Sequence, residues 1–379
     1  MKKKIIFLIS NEPVPVITQK INELHRTGKY DIYLIYWHRL HSTNDFPFSV
    51  CISKDHILTI NLPEPRGNIV RRIFLTIIFF TLSFNLIQKI NPHSIHCVNM
   101  DIWLPLIVMN TFNKKFKVIL DLLDSRDSFL KWNLNHAISK FIEKTALFFI
   151  TSPGYATDYL NRFRLDPKDP RIVFIPNAPS RTLFDHFKNR KGDGLVIGYI
   201  GTFRGKKTIE DFVETVKLLN VNKKSVNIIF AGVGPRLDLV KHYASKFDFI
   251  KYLGPYNYQK DIKKIYEQVD IIFSMYYPSH DKMIHMSCRY HDAVVCRIPI
   301  IVQKGSLLAK LVEHHQTGYV LELGQRKEME DLLNRLVDNP DDLKTKAKNC
   351  HSLLKENLFE TYIPRLVNAY HRILDDDET

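Results

Sequence analysis

Short, almost wholly apolar runs alternate with helical patterns along this chain, and the alternation occurs twice. Runs at 4–10, 30–36, 56–60, 94–98, 116–120, 146–151 and 171–175 read as strands. Helical periodicity fills most of the gaps between them, as over 16–27 and 132–144. Pro176, Asn177, Ala178 and Pro179 interrupt the pattern with turn residues. It then resumes with runs at 195–200, 226–231, 250–252, 271–275, 299–303 and 318–321. Strands that are apolar on both faces and separated by helices belong in parallel sheets covered on both sides. The expected architecture is therefore α/β, with two doubly wound, Rossmann-like domains in tandem and a hinge between Pro179 and Gly194.

Length agrees with that division, since 379 residues are too many for one ordinary core. The expected domains are 1–180, joined by a terminal helix over 360–379, and 181–359. Five scattered cysteines without a Cys-x-x-Cys pair argue against a disulfide framework or a zinc site and for a reducing compartment. The opening Met1-Lys2-Lys3-Lys4 leads into an apolar run too short for a signal peptide, which reads as a first buried strand.

The formal net charge is +14. Residues 1–180 hold 23 Lys and Arg against 14 Asp and Glu, an excess of nine, and the remainder an excess of five. A basic half favours an anionic partner, whether membrane lipid, a phosphorylated acceptor or nucleic acid. Nucleic acid is the weakest of these, because no basic helix with interleaved aromatics and no RNA-binding aromatic signature occurs. Residues 73–88 carry no charge, follow Arg66, Arg71 and Arg72 and precede Lys89. Thr76, Thr81, Ser83 and Asn85 interrupt the run, which makes it short and polar for a membrane span. Two readings stand: a buried helix of the first domain, or a helix whose apolar face dips into a membrane leaflet.

In the second half, Gly201-Thr202-Phe203-Arg204-Gly205-Lys206-Lys207 follows a strand and opens a helix. Glycine permits close backbone approach, a helix start offers free N–H donors and the cations neutralise charge, so the turn suits a diphosphate; a solvated Lys-rich turn would look the same. A second turn, Gly232-Val233-Gly234-Pro235, is either a nucleotide neighbour or a plain strand-to-helix turn. The stretch from Ser287 to Val302 places Arg289 three residues before Asp292 on a helix that runs into the strand after Pro299. A carboxylate on an apolar helix is costly to bury unpaired, so Asp292 either forms an ion pair with Arg289 or meets a ligand.

Gly201, Lys207, Gly232, Gly234, Asp292 and Pro299, in this order over about 100 residues, resemble the donor domain of the retaining family-four (group 1) glycosyltransferases. These enzymes have the GT-B fold, two Rossmann-like domains facing a central cleft. The resemblance implies that Lys207, six residues after Gly201, contacts the donor diphosphate, with Arg204 as a second cation. It implies that Asp292 binds the donor ribose in place of the family's Glu, and that Arg289 points to the diphosphate or the sugar. It makes the first domain acceptor-binding and the second nucleotide-sugar-binding, with the terminal helix crossing back onto the first; by periodicity alone that helix could equally cap the second sheet. Asp270 matches a family Asp and reads as structural. Thr208 stands where Gly is usual, Leu123 where His is common and Ile284 where many members keep a first Glu.

On the acceptor side the first turn, Asn11-Glu12-Pro13-Val14-Pro15, lacks the family's glycines and is either a plain connection or an acceptor lip. Asp101 and Asp124 follow expected strands and are candidates to activate an acceptor hydroxyl; for Asp124, helix N-capping is an equal alternative. The resemblance implies transfer of a sugar from a nucleoside-diphosphate sugar to a glycan or lipid-linked acceptor in cell-surface polysaccharide synthesis. That reaction would retain anomeric configuration and use neither a metal nor a further cofactor, in the cytoplasm or at the inner face of the membrane. The alternatives are a nucleotide-sugar 2-epimerase and a catalytically silent GT-B subunit that binds a partner.

Overall fold

The computed structural model describes residues 2–40, 48–64, 69–113, 115–124, 135–276 and 280–374. The chain divides into two compact units, one formed by Met1–Pro176 with Tyr362–Thr379 and the other by Asn177–Thr361.

The first unit is built on a seven-stranded sheet. Its strands are β1 (Lys3–Ile9), β2 (Tyr30–Leu40), β3 (Ile57–Pro63), β4 (Ser94–Val98), β5 (Lys117–Leu122), β6 (Leu147–Ile150) and β7 (Ile172–Phe174), in the order β3-β2-β1-β4-β5-β6-β7. Every neighbouring pair is parallel. Ile5, Ile6, Phe7 and Leu8 of β1 are fully buried, which requires apolar cover on both faces of the sheet. The second unit holds β8 (Leu195–Ile200), β9 (Val226–Ala231), β10 (Ile250–Tyr252), β11 (Ile271–Ser274), β12 (Ile300–Gln303) and β13 (Gly318–Leu321), ordered β10-β9-β8-β11-β12-β13 and parallel throughout. Both sheets reverse direction beside their first strand, between β1 and β4 and between β8 and β11. In such sheets ligands gather over the carboxyl ends of the strands at that switch point.

The boundary falls at Pro176, ahead of the expected hinge, because the stretch after it packs on the second unit. Arg190 Nε donates to Asp270 Oδ2 at 2.8 Å, and that oxygen also accepts from the Val196 amide at 2.9 Å. Asp270 thus ties the entry segment to the start of β8. Phe184 packs edge-on against Tyr266. Divided by these units, the charge excess is seven in each, 25 − 18 in the first and 29 − 22 in the second. The basic half inferred from residue order therefore does not distinguish one unit from the other.

The terminal helix Ile363–Leu374 packs in the first unit, burying Leu366, Ala369, Tyr370, Ile373 and Leu374. Tyr370 Oη lies 2.6 Å from His96 Nδ1 on β4, Lys117 donates to the Ile373 carbonyl, and Arg372 donates to the Pro170 carbonyl at 2.8 Å. The helix Ile69–Ile90 lies between β3 and β4 in the chain. Of the residues singled out from the sequence, Arg66 and residues 132–134 lie outside the described ones.

Candidate functional site

In the second unit three turns meet at the carboxyl ends of β8, β9 and β10. Gly201 N–H donates to the Ala231 carbonyl at 2.8 Å, Phe203 N–H to Val233 at 2.9 Å, Arg236 N–H to Phe203 at 3.0 Å and Gly232 N–H to Gly254 at 2.9 Å. Tyr252 Oη closes the set by donating to the Gly232 carbonyl at 2.9 Å. The contact is so close that a Cβ on Gly232, whose φ is +132°, would lie 2.0 Å from the Gly201 carbonyl oxygen. A Cβ on Gly234 would lie 2.5 Å from the Phe203 nitrogen. Both glycines are explained by turn packed on turn. Gly201 differs, since a Cβ there would meet the Arg289 guanidinium at 3.1 Å.

Arg289 occupies the first turn of the helix Cys288–Cys296, capped by Ser287, whose Oγ accepts from the Arg289 amide at 3.3 Å. Its guanidinium lies over the Tyr276 ring, 4.8 Å from the centroid, a cation–π placement that fixes the plane of the fork. Its Nη1 is buried and has no hydrogen-bond partner. Burial raises the Tyr199 hydroxyl above its ordinary pKa against the opposing pull of Arg289 and Arg204, so both cations converge near the end of β8. Arg204 is exposed and Thr202 half-buried. The helix Lys206–Val221 begins beside them at Gly205 without a side-chain cap, which leaves its first N–H groups to other acceptors. A buried guanidinium nitrogen without a partner, a second cation and an uncapped helix start are groups chemically suited to an anion.

Lys207 sits differently from the expectation. Its Nζ donates to Asp211 Oδ2 at 2.8 Å, one turn further along the same helix, and Arg326 Nε holds Oδ1 of the same carboxylate at 2.7 Å. Burial alone would raise the Asp211 pKa; the hydrogen bonds from Lys207 and Arg326 outweigh it and hold the group below its ordinary value. Thr208, where the family usually has Gly, is buried next to Gly205.

Asp292 also differs. Its side chain is 1% exposed, its Oδ1 accepts from Tyr258 Oη at 2.6 Å, and it makes no ion pair with Arg289 among the described residues. Of the two sequence readings, the ion pair with Arg289 is not formed, and the Tyr258 hydroxyl is the partner observed. Burial pushes its pKa up to about 7, against the Tyr258 hydrogen bond and the Arg289 charge. A folded-state pKa above the unfolded value contributes stability that is complete below about pH 4 and lost as pH rises through about 7. Amide exchange of the helix Cys288–Cys296 in wild type should therefore accelerate between about pH 4 and about pH 7 beyond its intrinsic pH dependence. Asp292→Asn, which keeps an acceptor for Tyr258, should show only the intrinsic rise. Equal slopes in mass-spectrometric exchange would remove this account of Asp292. Tyr258 and Tyr276, both essential to the geometry, carried no signal in the sequence because each acts across a long chain separation.

In the first unit Asp101 starts the helix Met100–Asn113 at the β1/β4 switch point, with Ser10 Oγ 3.4 Å from its Oδ2. Glu12 Oε1 accepts from the Arg39 amide at 3.0 Å and lies 3.1 Å from His38 Nδ1, and Arg39 Nη2 donates to the Ser10 carbonyl at 2.9 Å. The first turn is thus bound to the end of β2. Asn99, in the left-handed region at φ +65°, accepts the Leu123 and Asp124 amides on its Oδ1 at 3.0 and 3.1 Å. That places Asp124, exposed, and Asp101 on neighbouring strand ends. No group of three metal-ligating side chains occurs among the described residues.

Residues 181–351, nearly the whole of the second unit, match the family model of the glycosyl transferases group 1. The second unit resembles that family over this range. Solved GT-B glycosyltransferases superpose on the whole chain. Sucrose-phosphate synthase from Thermosynechococcus elongatus does so with a TM-score of 0.71 at 17% identity, covering 99% of this chain and 100% of its own. Anabaena HepE, solved in complex with UDP, gives 0.68 at 14%, covering 98% and 100%. The lipopolysaccharide outer core galactosyltransferase WaaB gives 0.62 at 14%, covering 98% and 100%. No curated protein matches the sequence significantly. The protein has the GT-B fold.

Proposed function

We propose that the protein transfers a sugar from a nucleoside-diphosphate sugar to a glycan or lipid-linked acceptor, in cell-surface polysaccharide synthesis in the cytoplasm. The observation that carries this reading is the Arg289 guanidinium, fixed on Tyr276 beside Gly201 with its buried Nη1 unpartnered. HepE supports it, since its solved complexes hold UDP and UDP-glucose. In the proposed reaction Arg289, Arg204 and the uncapped helix start, with Gly201 and Thr202 between them, bind the diphosphate and stabilise its charge as the glycosidic bond breaks. Fixed donors of this kind supply the largest electrostatic contribution available from the chain's own groups. Asp292 acts behind them as a positioning residue through Tyr258. The first unit is the acceptor side, where Asp101 or Asp124 receives a hydrogen bond from the attacking hydroxyl. Retention of configuration and independence of metal belong to the same proposal.

A second reading, a GT-B subunit that binds a partner without turnover, is favoured by the engagement of Lys207 with Asp211 and the burial of Asp292. A thermal-shift series with nucleoside diphosphates and their sugars separates the readings. At 100 times its dissociation constant the matching donor should stabilise the protein by about 2.7 kcal/mol. Acceptor-dependent release of the diphosphate then marks the transferase, and binding without turnover on any glycan marks the silent subunit. Release of a free epimerised sugar from donor alone would identify an epimerase. Absence of any shift with every nucleoside diphosphate would overturn the donor site.

A further inference from the structure

The helix Ile69–Ile90 has a face that neither the core nor the donor site uses. Leu75, Phe79, Ser83 and Ile87, spaced four residues apart, are buried in the first unit, and Phe79 stacks on Trp37 with ring centroids 5.6 Å apart. On the other side Val70, Phe74 and Ile77 are 66%, 61% and 58% exposed, flanked by Ile73 and Leu82 at 48% and 43%. These five are most of the large exposed apolar side chains among the described residues, so the exposure is concentrated rather than scattered. Arg71 and Lys89, both exposed, lie eighteen residues apart, about five helical turns, and so share one edge of the stripe. Lys4 and Lys115 reach the helix end at the Ile90 carbonyl and Gln88. No Asp or Glu occurs between Glu64 and Asp101.

We propose that this stripe lies in the interfacial layer of an anionic lipid bilayer, with the helix parallel to the surface. Its apolar side chains enter the acyl boundary while Arg71 and Lys89 meet headgroups. The helix is long and apolar enough to cross a membrane, but a crossing helix presents apolar surface to lipid on all sides, and here the Leu75 to Ile87 face is packed against protein. A second copy is the other possible cover. A twofold contact would set the stripe against itself and bring cationic edges together with no acid on either helix to pair them. Anionic headgroups supply the charge the stripe lacks. The sequence alternatives of core helix and membrane-surface helix are thereby assigned to opposite faces of one helix, and the inference does not depend on the donor site.

Vesicle co-sedimentation with phosphatidylcholine, with and without phosphatidylglycerol, tests the proposal. The wild type should bind the anionic vesicles. Phe74→Ser with Ile77→Ser leaves every charge in place and should lower the bound fraction by about tenfold. Arg71→Glu with Lys89→Glu should abolish the preference for anionic vesicles. Both pairs are exposed, so melting temperature and nucleoside-diphosphate binding should stay at wild-type values. Should the Phe74 and Ile77 pair melt early, Val70→Asn on the same stripe carries the test. Phe79→Ser serves as the contrast, since Phe79 is core and its replacement should unfold the first unit. Wild-type binding by the Phe74 and Ile77 pair would overturn the proposal, because attraction would then come from net charge alone. A dimer in sedimentation velocity that this pair dissociates, without vesicle binding by wild type, would overturn it in favour of self-association.

Discussion

Arg289→Ala should weaken UDP binding by about 10- to 150-fold, the equivalent of about 1.5–3 kcal/mol for hydrogen bonds to a charged group. Lys207→Ala should change it by less than about threefold. The contrast follows from where each cation already spends its donors. Arg289 has a buried nitrogen without a partner and a plane held by Tyr276, so a diphosphate gains its hydrogen bonds without displacing an existing one. Lys207 would first have to leave Asp211, which also holds Arg326. Arg289→Lys keeps the charge but not the planar fork, and should fall between wild type and Ala. Titration calorimetry with UDP reads all three. A larger loss for Lys207→Ala than for Arg289→Ala would return the diphosphate to Lys207 and require the Asp211 contact to break when donor binds.

The strands were legible because burial on both faces leaves a direct mark on composition. Runs such as Ile197 to Ile200 in β8 and Ile228 to Ala231 in β9 are apolar without alternation, as a covered parallel sheet requires. The unit boundary was less legible. Arg190 reaches Asp270 across 80 residues of chain, and no local periodicity records that contact. The site shows the same difference. Gly232 and Gly234 announce a tight turn, but the carbonyl that excludes a Cβ from Gly232 belongs to Gly201, in the turn after β8. Lys207 and Asp211 stand four apart, the spacing at which helical side chains meet, and that local pairing outranks the resemblance in the present geometry. Tyr258 under Asp292 and Tyr276 under Arg289 were beyond reach, since neither a helix-start nor a loop aromatic indicates what it will support.

Asp121→Ala should lower the stability of the first unit by about 3–5 kcal/mol, the cost of removing one partner from a buried ion pair. Asp121 lies in the interior, with Oδ2 2.6 Å from Lys20 Nζ and 2.8 Å from His96 Nε2, all three side chains being fully buried. His96 continues through Nδ1 to Tyr370 Oη on the terminal helix, so the network joins four separate parts of the chain. With a neutral imidazole, Nε2–H donates to Asp121 and Nδ1 accepts from the Tyr370 hydroxyl. Burial alone would raise the Asp121 pKa, but Lys20 and His96 together hold it below the ordinary value of 3.8. A depressed carboxylate contributes stability that is present above its unfolded value and lost as pH falls through the folded one. Wild type should therefore weaken on acidification below about pH 4, and Asp121→Ala should lose that part of the acid dependence. Trp37 and Trp103 are buried in the first unit and the range of the second unit holds no tryptophan, so fluorescence during urea unfolding reports on the first unit alone. Lys20→Met combined with Asp121→Leu should regain part of the loss, because two apolar groups replace two charges that must otherwise satisfy each other. A cost below about 1 kcal/mol for Asp121→Ala, the level of an ordinary exposed pair, would mean that water reaches Lys20 and that the network does not hold the terminal helix in place.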